Sequence, residues 1–228
     1  MQTTLKVALL AHTPDADKLV AAAAKLCYAK SDVDTLLDNL TAEKAEEFIN
    51  RLADLGHESP IEHASYTFAV EGVSRALLAQ LTRHRIASYS VQSQRYVDKA
   101  DFDYVIPPSI AANMEAKDAY IRCMNMASAC YGIFTMIGIP NEDARFVLPN
   151  ACDTRIIFTM NARSLHNFFR LRCCNRAQWE IRAMADEMLK LCREVSPVLF
   201  KRAGPSCAVT GKCSEGAMCC GEPRTEVK

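Results

Sequence analysis

Two alternating stretches constrain the fold of this chain more than any other feature. From Ser65 to Glu71, Tyr66, Phe68 and Val70 fall on one side, and Ser65, Thr67, Ala69 and Glu71 on the other. From Arg155 to Ala162 the pattern returns, with Ile156, Phe158, Met160 and Ala162 opposite Arg155, Ile157, Thr159 and Asn161. A period of two is the signature of a strand with one buried face. Each stretch leads towards a helix. Ser74 can cap one that runs to about Arg83, and Asn161-Ala162-Arg163-Ser164 sits where strand gives way to helix. The expected class is therefore α+β, a sheet with flanking helices.

Helical periodicity fills most of the rest. The turn Thr13-Pro14-Asp15 opens an alanine-rich helix to about Tyr28, and Ser31 to Asp34 break it. A second helix spans about Thr41 to Leu55, with Glu43, Glu46 and Glu47 in its N-terminal half and Gly56 at its end. A long helix is expected from about Ser109 to Ile137, in one or two pieces. Tyr120, Cys123, Met124, Ala127, Cys130, Tyr131 and Phe134 recur at helical spacing there and are expected in the core. Asn141 to Leu148 reads as a short helix carrying Arg145. Ser164 to Val195 reads as a last helical region with a break near Cys173-Cys174-Asn175. Its second half carries an apolar stripe of Ile181, Met184, Ala185, Met188, Leu191, Cys192 and Val195. Met1 to Ala11 reads as a first strand. No repeat or linker is visible, so residues 1–203 are expected to form a single domain and 204–228 a Cys-rich irregular tail.

Charge narrows the function. Lys plus Arg number 27 and Asp plus Glu 27, so the chain is formally neutral. A general nucleic-acid or membrane binder would carry a basic excess. No apolar run reaches membrane-spanning length, and the N-terminus lacks the pattern of a secretory signal. A cytoplasmic protein is expected, whose 11 cysteines are free thiols rather than a disulfide framework.

Against that neutral background one basic segment stands out, Arg83-His84-Arg85-Ile86-Ala87-Ser88-Tyr89-Ser90-Val91-Gln92-Ser93-Gln94-Arg95-Tyr96, which no acidic residue interrupts. Guanidinium groups suit phosphate and carboxylate, and Ser and Gln add neutral hydrogen bonds. Composition alone leaves two readings side by side, an anion-binding segment and a solvated basic loop. Asn161, Arg163, Asn167, Arg170 and Arg172 cluster around a second helix start, where backbone donors and the helix dipole favour anions. The competing reading pairs these arginines with Glu180, Asp186 and Glu187.

Other candidates are weaker. His57, Glu62 and His63 lack His-Glu-x-x-His spacing, and Pro60 breaks the helix that would align them, so no metal is expected. His12 and His166 are expected to be structural, hydrogen-bonded residues. Cys173-Cys174 reads as buried or incidental thiols rather than a nucleophile or a disulfide. With 8 glycines and no Gly-x-Gly-x-x-Gly or P-loop, any nucleotide must be held by side chains and helix ends.

Taken together, these segments resemble one family. Arg-His-Arg-x-x-Ser-x-x-x-x-Ser-x-Arg-Tyr, from Arg83 to Tyr96, resembles the signature of the flavin-dependent thymidylate synthases, the ThyX family. His57-Glu58-Ser59-Pro60-Ile61-Glu62-His63 is similar to a second block of that family. Ala144-Arg145-x-Val147-Leu148-Pro149 is similar to a third. Asn161-Ala162-Arg163-Ser164-Leu165-x-Asn167-Phe168, followed by Arg172 and Ala177-Gln178-Trp179-Glu180-Ile181, is similar to a fourth.

The resemblance implies a ThyX-like fold and a homotetramer whose active sites form between subunits. It implies transfer of the methylene group of 5,10-methylenetetrahydrofolate to C5 of dUMP, reduction by FADH2, and regeneration of the flavin by NADPH. It implies that Gln80, Arg83, Ser93, Gln94, Arg95 and Arg145 hold dUMP, with Arg172 as the catalytic cation facing the uracil. It implies that Ser59, Arg83, His84, Arg85, Ile86, Asn161, Arg163 and Asn167 hold FAD, and that His57 lies beside the flavin or folate. Ser93 is not read as a nucleophile, because no activating base is evident in the sequence. Ser90 and Val91 depart from the commonest signature, which has Asn and often Glu there. Two alternatives are a flavin- or nucleotide-binding homologue without catalysis and a nucleic-acid-binding module.

Overall fold

The structure is a computed structural model in which residues 1–226 are described; the last two residues of the expected tail lie outside them. One four-stranded sheet has the order β1 (Lys6–His12), β2 (Ser65–Ser74), β4 (Asp153–Asn161), β3 (Ser88–Val91). The two alternating stretches are its central strands. Tyr66, Phe68, Val70, Ile156, Phe158 and Met160 are all buried. Thr67 meets Thr159 at 2.9 Å, and Glu71 meets Arg155 at 3.7 Å, in the same antiparallel register. By compactness the chain divides into two units. One comprises Met1–Lys6, Ala69–Arg83 and Tyr89–Ile157, and the other Val7–Phe68, His84–Ser88 and Phe158–Lys228.

The first unit carries α4 (Arg75–Leu81), α5 (Pro108–Ala111), α6 (Met114–Met136), α7 (Asn141–Ala144) and a 3-10 turn at Arg145–Val147. Ser74 caps α4 as expected, its Oγ accepting from the Leu77 amide at 3.1 Å. The expected long helix is the pair α5 and α6, and Asn113 caps the second piece. Its core stripe is narrower than the spacing predicts. Met124 and Tyr131 are buried, Tyr120, Ala127, Cys130 and Phe134 are half-buried, and Cys123 is exposed. The local cluster of Phe102, Tyr104, Ile106, Met124 and Cys152 covers only part of the helix circumference. Gly72, at φ +71°, is required in β2 because a Cβ there would overlap the Thr4 carbonyl.

The second unit carries α1 (Ala16–Leu26), α2 (Val33–Asp38), α3 (Ala42–Leu55), a 3-10 turn at Pro60–His63, α8 (Ala162–Arg172), α9 (Trp179–Val195) and α10 (Ser206–Thr210). Its core packs Tyr66 and Phe169 edge-on against Phe200, with the Tyr66 hydroxyl donating to Ser196 at 2.7 Å. Gly56 ends α3 in the left-handed conformation, and the His57 amide closes back on Leu52 at 2.9 Å. The break near Cys173 separates α8 from α9. On the buried face of α9, Leu189 stands where the spacing put Leu191. Beyond Gly204 the tail contains α10 and a 3-10 turn at Gly216–Met218, and it is tied to the α8–α9 connection. The Asn175 amide donates to the Glu222 carbonyl at 2.8 Å, and Arg224 bridges the Cys173 carbonyl and Asp186. No helix among the described residues is long and apolar enough to cross a membrane.

Candidate functional site

The expected nucleotide residues other than Arg172 lie in the first unit, and two of them, Arg95 and Arg145, bond to Glu142. After β3 the chain turns through Ser93, Gln94 and Arg95. The Ser93 hydroxyl accepts the Arg95 amide at 3.2 Å, and the Ser93 carbonyl accepts the Val97 amide at 3.1 Å. This turn aims Arg95 at Glu142 on α7. Its Nε and Nη2 reach Oε2 at 2.9 and 2.8 Å, and its guanidinium also lies over Tyr96. Arg145, immediately after α7, donates Nε–H to the Glu142 carbonyl at 3.0 Å. Two guanidinium groups thus converge on one glutamate, Arg95 on its carboxylate and Arg145 on its backbone carbonyl, leaving an excess of positive charge beside Ser93. Gln94 donates weakly to the Cys152 thiol at 3.8 Å, and burial pushes that thiol up to about 11. Gln80 lies half-buried near the end of α4, and Arg83 is exposed beyond it.

The expected flavin residues, Arg83 apart, lie in the second unit together with Arg172 and His57. β4 ends at Asn161, whose Oδ1 accepts the Ser164 amide at 2.8 Å and so starts α8. One turn along, Asn167 accepts from Arg170 at 3.1 Å. Arg163, exposed on the first turn, reaches Glu58 at 3.2 Å and Glu62 at 2.5 Å. These two carboxylates, with its hydrogen bond to Glu62 foremost, raise its basicity. The arginine therefore has acidic partners, but not the Glu180, Asp186 or Glu187 that the competing reading named. Ser59 opens the 3-10 turn that carries Glu62, and His57 is exposed just before it. Arg85 and Ile86 are exposed on the segment leading into β3. His166 is structural, with Nε2 at 2.9 Å from the Leu199 carbonyl.

At the far end of α8, Arg172 donates Nε–H to His84 Nε2 at 3.0 Å. The Phe168 ring meets the imidazole edge-on at 4.9 Å. Burial, followed by the charge of Arg172, depresses the His84 pKa to about 4, so the ring is neutral at physiological pH. Sequence reasoning missed the partners Glu58, Glu62 and Glu142, and the pairing of His84 with Arg172. Only the sign of the charges could have suggested the three carboxylates, and nothing in the sequence suggests the His84–Arg172 contact.

The backbone places the protein in the class of ThyX-type α+β folds. It is similar to the UMP/dUMP methylase PolB from Streptomyces cacaoi bound with 5-Br dUMP, at a TM-score of 0.78 and 24% identity, covering 87% of this chain and 94% of that one. It is also similar to Thymidylate Synthase X from Helicobacter pylori with FAD and dUMP, at a TM-score of 0.72 and 24% identity, covering 87% and 98%. The sequence narrows the class. The model of the family described as thymidylate synthase complementing protein matches residues 8–198. The flavin-dependent thymidylate synthase of Clostridium tetani is 52% identical over 234 residues, 96% of this chain and 94% of that protein. The one from Geobacter sulfurreducens is 52% identical over 226 residues, 98% and 97%. The chain belongs to the flavin-dependent thymidylate synthase family.

Proposed function

We propose that the protein methylates dUMP to dTMP with 5,10-methylenetetrahydrofolate as one-carbon donor, FAD as redox cofactor and NADPH as reductant, releasing tetrahydrofolate. The observation that carries this reading is the convergence of Arg95 and Arg145 on Glu142 beside Ser93. Two cations, of which only Arg95 is paired with a carboxylate there among the described residues, suit a nucleotide monophosphate. In this reading Gln80, Arg83 and Gln94 complete the dUMP site, and Arg172 faces the uracil. A fixed guanidinium there stabilises negative charge that develops on the pyrimidine carbonyls when C5 becomes nucleophilic.

The donor set of the second unit fits an anionic aromatic cofactor. Arg85 is an exposed cation without a carboxylate partner among the described residues. Asn161, Arg163 and Asn167 add donors along α8, and Ile86 and the neutral His84 add less polar surface. With Ser59 and Arg83, these residues would hold FAD, and His57 would stand by the flavin or folate. When bound and reduced, FAD supplies the hydride. The enzyme works as a cytoplasmic homotetramer with active sites shared between subunits, and binds neither nucleic acid nor membrane. The test is turnover of the purified chain with dUMP, methylenetetrahydrofolate, NADPH and FAD. Formation of dTMP is expected. Normal flavin and dUMP binding without dTMP would move the reading to a binding homologue.

A further inference from the structure

None of the sequence blocks read above falls in the tail, yet the tail is fastened to the connection that follows Arg172. Helix α8 ends at Arg172 and α9 begins at Trp179. Carbonyls at a helix C-terminus have no partner within the helix. Here the tail supplies one. Arg224 Nη1 donates to the Cys173 carbonyl at 2.8 Å, one residue past Arg172. The same nitrogen reaches both carboxylate oxygens of Asp186 on α9, at 2.9 and 2.8 Å. This ion pair is largely shielded from water, with side-chain exposures of 19% and 23%. A cation at this point also complements the negative end of the α8 dipole.

Further bonds hold the same connection. The Asn175 side-chain amide donates to the Glu222 carbonyl at 2.8 Å, and the Arg176 guanidinium donates to the Met218 carbonyl. Arg182 on α9 donates to the Asn175 carbonyl at 2.8 Å. Cys173 is fully buried, and its amide closes the last turn of α8 on the Phe169 carbonyl at 3.0 Å. That turn is therefore gripped twice. Arg224 takes its main chain at Cys173, and His84 takes the side chain of Arg172 at 3.0 Å. A hydrogen bond is lost by about 3.6 Å, so a shift of the turn by roughly 0.6 Å is enough to break the second grip.

We propose, resting on the catalytic role given above to Arg172, that Arg224 is a positioning residue for the reaction. By clasping the Cys173 carbonyl to Asp186 it fixes the end of α8, and so keeps the Arg172 guanidinium against His84 in the place from which it meets the uracil. Arg224 acts through the main chain at Cys173 and not on the substrate. The tail is thus a working part of the site.

The test compares full-length holoenzymes of wild type, Arg224→Gln, Arg224→Lys, Arg172→Ala and the double variant Arg172→Ala/Arg224→Gln, with rates expressed per bound flavin. Arg224→Gln should lower kcat about tenfold to a hundredfold, the scale of an ångström-sized misplacement, with the KM for dUMP unchanged. Arg224→Lys, which keeps the charge and the donors, should recover much of that loss. In the Arg172→Ala background Arg224→Gln should cost nothing more, because two residues that act through one contact are not additive. A second readout needs no turnover. In protein labelled with 15N-histidine, the Nε2 resonance of His84, assigned with His84→Gln, should move in Arg224→Gln towards its position in Arg172→Ala. Should Arg224→Gln fail a near-ultraviolet circular dichroism check for folding, Asp186→Asn, which weakens the clasp from its other end, is read by the same criteria. A resonance that stays at its wild-type position, or losses that add in the double variant, overturns the proposal. Unchanged turnover in Arg172→Ala sinks the reading of Arg172 and takes this inference with it. A loss in Arg172→Ala beside a wild-type kcat and resonance in Arg224→Gln sinks the inference alone.

Discussion

Arg172 donates its Nε–H to Nε2 of His84 across 3.0 Å. An imidazole nitrogen that accepts cannot itself carry a proton, so the His84 proton sits on Nδ1. A single contact thus fixes both the tautomer of the histidine and the plane of the guanidinium. The edge-on Phe168 ring restrains the imidazole in turn. If that guanidinium meets the uracil, Arg172→Ala should lower kcat by about a hundredfold or more, the usual scale for losing a preorganised donor. Flavin absorbance should persist in the purified variant. Unchanged turnover would remove Arg172 from the catalytic role.

The same pair makes stability depend on pH. His84 has a folded pKa of about 4 against an ordinary 6.5. Between those values the unfolded chain binds more protons, so stability rises with pH across that window. Equivalently, the contribution of neutral His84 is present above about 6.5 and is lost as pH falls towards 4. With the partial exposure of the ring allowed for, the effect is on the order of 2 kcal/mol. Urea midpoints of wild type and His84→Gln, measured from pH 4 to pH 7, should show a steeper slope in the wild type. Parallel curves would refute the assignment.

Arg145→Ala should act on dUMP rather than on turnover. Loss of a charge-assisted contact is worth roughly 1.5–3 kcal/mol, or about ten- to hundredfold in affinity. Calorimetric titration with dUMP reads it directly, and an unaltered affinity would place the phosphate elsewhere.

Lys99 and Asp153 form a buried ion pair at 2.9 Å, each side chain about one-tenth exposed. Removing one partner strands the other charge. Lys99→Met should cost about 3–5 kcal/mol, and adding Asp153→Leu should recover much of it. Chemical denaturation at neutral pH measures both. A single variant as stable as wild type would show that the pair adds nothing.

What could be read from the sequence was local. The strands β2 and β4 repeat every two residues, and the caps Thr41 and Ser74 sit where the helices begin. Helix α2 escaped notice because six residues give no periodic signal; it depends on Asp32 accepting the Thr35 amide at 2.8 Å. α6 misled because helical spacing shows which residues share a face, not how much of that face is covered. The arginines themselves were identified by type and pattern, but their partners were not. Arg95 and Glu142 lie 47 residues apart, His84 and Arg172 lie 88 apart, and Arg163 lies 101 from Glu62. Nothing in local spacing encodes a pairing that exists only once the sheet has formed.

The grip of Glu58 and Glu62 on Arg163 has one more consequence. An anion that takes this arginine does not meet a bare cation; it exchanges places with carboxylates already there. Salt weakens the outgoing pairs as well as the incoming one, so the two screenings oppose each other. Occupancy at Arg163 should therefore hold across ionic strengths that would empty an open basic groove.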